Sequence, residues 1–193
     1  MKNFKKACYQ ATLIIAVVTG ISACMNSKTE DTKEVAEEKN EQKIDTKINE
    51  KDAQFLVDAS EMNMIGVSLG QLGQQKGGSI HVKELGKMME DQHTISLNEL
   101  IALAQTKNIS LPTLQTEKGK ETYKKQSGLP AKKFDKMYAD LMVNEHKDAI
   151  VLFEAAAENS TDPEIKAWAL ATIPMLKMHL DQSLICQKQC EKM

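Results

Sequence analysis

The chain has 193 residues, with 25 basic and 27 acidic side chains and a formal net charge of −2. Every basic residue is lysine, so the guanidinium fork that usually reads phosphate or carboxylate is missing, which argues against nucleic acid as a partner. Aromatic residues make up only 4 % of the chain, valine and isoleucine are sparse, and no apolar–polar alternation is present. A sheet-based fold is thereby excluded in favour of an all-α one.

The first six residues, MKNFKK, are followed by an apolar stretch from Ala11 to Ile21 and then by Ser22-Ala23-Cys24. A charged start, a short apolar run and a small-residue cleavage site are the parts of a signal peptide. The run is too short for a lasting membrane helix, which needs ~20 apolar residues. Ile21-Ser22-Ala23-Cys24 resembles the lipobox of bacterial lipoproteins. That resemblance implies removal of residues 1–23, acylation of Cys24 and attachment to a membrane in the cell envelope. Met25, rather than aspartate, follows the cysteine, which implies sorting to the outer membrane with the leaflet left open. More than one acyl chain is needed for stable anchoring, since one chain binds only marginally.

Residues 24–51 are dominated by Lys, Glu, Asp, Asn and Thr and have no proline or aromatic residue. Such a stretch buries too little surface to offset the entropy of ordering it, so it reads as a charged, disordered tether with some helical tendency. Residues 52–193 then form one domain of four long helices. The first, from Asp52 to Lys76, carries Phe55, Ala59, Met62, Ile65, Leu69 and Leu72 at three- and four-residue spacing and stops at Gly77-Gly78. The second, from Ser79 to Lys107, continues the pattern with Val82, Leu85, Met89, Ser96, Leu100 and Leu103. The third runs from Pro130 through Phe134, Leu141, Met142, Ala149 and Phe153 to Asn159. Thr161-Asp162-Pro163-Glu164 opens the fourth with a capping side chain, a first-turn proline and an early acid. Ile165, Ala169, Thr172, Leu176 and Leu180 follow, with a bend expected at Pro174.

Between the second and third helices, Asn108 to Leu129 holds Leu111-Pro112, Gly119 and Gly128 as breakers and a short helix near Thr116 to Lys125. At ~3.3 Å per residue it reaches ~70 Å, against ~40 Å for such a helix, so it can cross the whole bundle. The economical topology is a ferritin-like four-helix bundle: two hairpins joined by one long crossover, with the second and third helices parallel.

Several segments together carry a family resemblance: Phe55-Leu56-Val57-Asp58-Ala59, Leu69-Gly70-Gln71-Leu72, Val82, Met89 to His93, Phe134-Asp135 to Tyr138, Met142-Val143-Asn144-Glu145-His146, Ile173-Pro174 and His179-Leu180. The chain resembles the ferritin-like bundles of domain-of-unknown-function family 4142, often labelled outer membrane proteins. The resemblance implies a fold and a location more than an activity. It also implies a first-helix glutamate where this chain has Gly66, and an aspartate before the second-helix histidine where it has Gln92. Both departures remove a carboxylate from the middle of the bundle.

A ferritin-like di-iron site needs a glutamate from each of two helices and Glu-x-x-His from each of the other two. Only Glu90-x-x-His93 has that spacing, which argues against a di-iron oxidase. A clearer regularity is three Met-x-x-x-His pairs on three helices: Met89 with His93, Met142 with His146, Met175 with His179. Residues four apart share a helix face. Helix arithmetic puts the three histidines in nearly one layer, with Met89 and Met142 on one side of it and Met175 on the other, and makes Glu90 and Glu145 the nearest carboxylates. Methionine on such a stripe ordinarily fills a core and a buried histidine is ordinarily hydrogen-bonded. A structural or interaction role is thus the simpler reading of the bundle, and a bound copper, zinc or iron ion the alternative. His81, in the first turn of its helix, reads as a surface residue. Cys186 and Cys190, also four apart, read as free thiols or a disulfide before a metal site, because two thiols alone are an incomplete ligand set. No nucleophile triad, phosphate loop or paired-carboxylate motif is legible, so enzyme activity is not indicated.

Overall fold

The computed structural model describes residues 31–43 and 49–192. The leader expected over residues 1–23, and Cys24 with it, lie outside the described residues. Six helices and no strand occur among those described: α1 Thr32–Glu41, α2 Glu50–Lys76, α3 Ile80–Thr106, α4 Glu117–Ser127, α5 Ala131–Asn159 and α6 Pro163–Cys190. None is long and apolar enough to cross a membrane. Helix starts follow the local sequence: the side chains of Asn49, Ser79, Thr116 and Asp162 each accept a hydrogen bond from a first-turn amide, satisfying donors that have no partner within the helix. Asn108, at φ 56, ends α3 in the left-handed conformation that asparagine tolerates. Helix α6 continues through Pro174.

Contacts at the helix ends fix the topology. The Asp135 carboxylate, in the second turn of α5, accepts from the Gly78 and Ser79 amides at 2.8 and 2.7 Å, which puts the start of α5 beside the start of α3. At the opposite end Lys107, after α3, pairs with Asp162 and Glu164 at the start of α6. Helices α3 and α5 are therefore parallel, and residues 107–130 cross the bundle between them. The crossover runs along α2: Thr116 Oγ1 donates to Glu61 at 2.6 Å midway, and Lys76 Nζ donates to the Ser127 carbonyl at the far end.

Helix α1 is a correction to the expected tether. Residues 31–43 are ordered against α2 and the crossover, with Ala36 and Asn40 buried. The attachment is polar. Asn40 accepts from the Ser110 amide at 2.7 Å and donates to the Ser110 carbonyl at 2.9 Å. Lys33 pairs with Asp58 and Glu61, and Thr32 Oγ1 donates to the Leu114 carbonyl. A composition argument counts apolar surface, so it missed a helix held by side-chain hydrogen bonds.

The core divides in two. Towards the Asp52 and Asp162 end lie Phe55, Leu56, Leu100, Phe153, Ile165, Ala169 and Leu176. Towards the Gly78 end lie Ile65, Leu69, Met89, Phe134, Tyr138, Met142, Cys186 and Cys190. In that second half α2 and α3 meet backbone to backbone: a Cβ on Gly70 would lie 2.5 Å from the Glu90 amide nitrogen and 2.7 Å from the Gly86 carbonyl. Only glycine allows that approach.

Candidate metal centre

Between the two half-cores lies a polar layer. Helix α3 supplies His93, α5 His146 and α6 His179, all buried, with 2, 4 and 0 % of their surface exposed. His146 Nε2 is 3.4 Å from His93 Nε2 and 3.2 Å from His179 Nδ1, and one nitrogen from each ring lies within 4.8 Å of the other two. The ring nitrogens on the other side each meet an oxygen: His93 Nδ1 at 2.9 Å from Asn63 Oδ1, His146 Nδ1 at 2.7 Å from the Met142 carbonyl, His179 Nε2 at 3.0 Å from Gln92 Oε1.

These partners decide where the protons are. A backbone carbonyl can only accept, so His146 carries its proton on Nδ1 and presents a bare Nε2. The Asn63 amide nitrogen donates to the Ala59 carbonyl, which turns its oxygen to His93 and leaves His93 Nε2 bare as well. With Gln92 Oε1 as its acceptor at 3.0 Å, His179 carries its proton on Nε2 and leaves Nδ1 bare. Lone pairs of the three rings therefore converge, while three outer oxygens fix tautomer and orientation, as second-shell partners do around a metal.

Protonating a ring would relieve the clash of lone pairs, but burial opposes it. Burial, then the neighbouring histidines, hold His93 well below its ordinary pKa. His146 is lowered by burial against the opposing pull of the Met142 carbonyl, and His179 falls to about 3 through burial and then His146. A cation between the nitrogens would offset the repulsion of these lone pairs. With metal–nitrogen bonds of ~2.1 Å, separations of 3.4 and 3.2 Å subtend roughly 110° and 100° at a common ion.

The expected flanking residues separate into near and far. Met142 and Glu145 line a cavity of about 20 Å³ against His93 and His146, with Gly66, Ile65, Leu69, Met62 and Ala149 as its other walls. That is room for one water. Glu145 is half-buried there, and burial raises its carboxyl above the ordinary value. Met89 is buried in the Gly78-end half-core beside Met142, and Met175 packs against the other half, so the thioethers lie on the two sides that helix direction predicts. Glu90 is not brought to the layer. Its carboxylate accepts from Gln71 at 2.9 Å and Gln74 at 2.5 Å across the α2–α3 face, and these bonds lower its pKa. His81 is exposed. Cys186 and Cys190 are free thiols.

Three contributors were not legible. Asn63 is a polar residue on the apolar stripe of α2, a signal that could have flagged it. Gln92, which the family resemblance marks as a lost carboxylate, keeps an oxygen on His179. Gly66 does not leave a vacancy: a Cβ there would lie 2.6 Å from His93 Cγ and Cδ2, so the glycine is the seat of the His93 ring.

The fold and site define an all-α helical bundle with a buried three-histidine layer. The chain belongs to the family described as Domain of unknown function (DUF4142), which matches residues 37–183. Neither a curated protein nor a solved structure matches it.

Proposed function

We propose that this protein is a lipid-anchored envelope bundle that binds one transition-metal ion between His93, His146 and His179. The observation that supports this best is the 3.4 Å approach of two bare imidazole nitrogens, His93 Nε2 and His146 Nε2, whose other nitrogens are committed to outer acceptors. A hydrogen-bonded polar core would place a proton between them. An all-imidazole ligand set suits zinc or copper, and the lack of a carboxylate among the three argues against the harder ions. Three protein ligands leave a coordination position open, but the adjoining cavity of about 20 Å³ has no room for an organic substrate. Holding or delivering an ion fits the site better than catalysis. Anchorage rests on the Ile21-Ser22-Ala23-Cys24 sequence and places the bundle outside the cytosol, where it would meet exogenous metal.

The test is elemental analysis of the purified full chain after incubation with zinc, copper or iron and desalting. One retained equivalent is expected, lost in His93→Ala/His146→Ala/His179→Ala and kept in Cys186→Ser/Cys190→Ser. Because an ion that binds only the folded state must stabilise it, the parent should gain about 2.7 kcal/mol at a hundredfold excess over Kd. A parent that stays metal-free and equally stable with all three metals would reduce the layer to a structural device. For the anchor, Cys24→Ala should leave the membrane fraction or remain unprocessed, and a variant that fractionates like the parent rules out lipidation.

A further inference from the structure

Seven and eleven residues beyond His179 on α6, and hence on nearly the same face, Cys186 and Cys190 lie buried with their sulfurs 3.9 Å apart. Sulfurs in a disulfide are ~2.05 Å apart, and stacked positions in a continuous helix cannot close that gap without unwinding it. The spacing suits a different bond. At a metal–thiolate distance of ~2.3 Å, sulfurs 3.9 Å apart subtend roughly 115° at a shared ion.

The surroundings are soft and accessible from one side. Met89 and Met142 belong to the same buried cluster as both cysteines. Between α3 and α6 a pocket of about 160 Å³ is lined by Cys186, Met88, His81 and Glu84, and the exposed His81 and Glu84 mark its surface side. The Tyr138 hydroxyl is buried with no hydrogen-bond partner, and Cys186 is near enough to suppress its ionisation further after burial has done so. An unpaired buried donor beside a thiol is costly, and it is what a thiolate needs.

We propose that Cys186 and Cys190 form a second site, separate from the histidine layer, that takes one three-coordinate Cu(I) ion on two thiolates, with its third position open to the His81–Met88 pocket through which it enters. Thiolate and thioether favour Cu(I), zinc and iron–sulfur clusters over harder metals. Zinc would need four ligands, and among the described residues no histidine or carboxylate joins the two sulfurs as a third metal-ligating group. Binding forms two Cu–S bonds and releases two thiol protons to solvent, with no electron transferred. Burial, as the larger effect, pushes the Cys186 thiol up to about 12 and raises Cys190 as well, so the metal–sulfur bonds must drive the deprotonation and uptake should weaken as pH falls. Tyr138 then donates to the new Cys186 thiolate. The site does not depend on the histidine centre.

The experiment is an anaerobic Cu(I) titration of the full chain against bathocuproine disulfonate, with the absorption edge and nearest-neighbour scattering of bound copper read at one equivalent. The parent should take a Cu(I) that shows sulfur at ~2.2–2.3 Å. That ion should be lost in Cys186→Ser/Cys190→Ser, and kept both in Cys8→Ser/Cys24→Ser and in the triple histidine variant that empties the other site. Equal binding in Cys186→Ser/Cys190→Ser, or nitrogen-only scattering in the parent, overturns the proposal. Should the serine variant misfold, alkylation of the parent decides: Cu(I) should slow iodoacetamide modification of Cys186 and Cys190 at least tenfold, and an unchanged rate overturns it.

Discussion

On one side of the histidine layer three rings interlock, and on the other Phe134 and Tyr138 stack at 5.5 Å among four sulfur side chains. Phe55 meets Phe153 edge-on at 5.1 Å, and Trp168 lies 5.9 and 5.3 Å from the two. Rings at such separations hold one another in preferred orientations, so this half sets the register of the helices. The other half gathers Met89, Met142, Cys186 and Cys190 where α2 and α3 approach through Gly70 and Gly86. Sulfur side chains are polarisable and adaptable. On the metal-binding proposal the contrast would separate two tasks: the half built on Phe55, Phe153 and Trp168 would fix helix register, and the half rich in sulfur could adjust around an ion.

That division is tested hardest by removing a ring. Phe153→Ala should cost about 3–5 kcal/mol in denaturant unfolding, because it empties the centre of the aromatic half. Metal retention by the surviving folded fraction should be unchanged. A loss of metal at constant folded fraction would mean the halves are not independent.

Next comes acid. Unfolded histidines take up protons near pH 6.5, whereas the folded rings resist, His179 down to about 3. Their neutral burial is therefore tolerated above the unfolded pKa and becomes destabilising as pH falls below it. Between pH 6.5 and 5.5 His179 alone should cost the metal-free chain about 1 kcal/mol, and His93 and His146 add to the loss in the same direction. Glu145, raised by burial, protonates more readily in the folded state and offsets part of the loss at still lower pH. Urea midpoints measured across that range check this, and a flat profile would show the rings protonate in place.

The smallest effect is expected from Gly66→Ala. Its Cβ collides with the His93 ring at 2.6 Å, while alanine gains about 1 kcal/mol of helix propensity. A crowding cost of about 1–3 kcal/mol then leaves a net loss near 1 kcal/mol. Affinity should suffer more than stability, falling at least tenfold in a zinc competition titration. Unchanged affinity would show that His93 does not need its seat.

The long helices were legible because each carries an apolar stripe at three- and four-residue spacing and a recognisable start, such as Asp162-Pro163. The crossover followed from chain length alone. Helix α1 was not legible, since Asn40, Lys33 and Thr32 dock it through polar atoms that no stripe records. Within the site, the three histidines and the sidedness of the methionines came directly from helix geometry. Glu90 misled because a step of three residues turns 300°, which rotates it about 60° away from His93 towards Gln71 and Gln74. Asn63 and Gln92 matter through which atom they point at a ring, and spacing carries no such information.

The docking of α1 would change the mechanics of a chain anchored at Cys24. Twenty-five residue steps separate Cys24 from Asn49, enough for ~90 Å of extended chain. Because Asp31 and Thr32 are pinned to the crossover at Glu117 and Leu114, only seven residue steps separate Cys24 from the first docked residue, a span of at most ~25 Å. On the anchored reading, a long leash becomes a short one. A tether would then leave the bundle on the side bearing α1 and α4, and the pocket mouth at His81 and Met88 lies between α3 and α6.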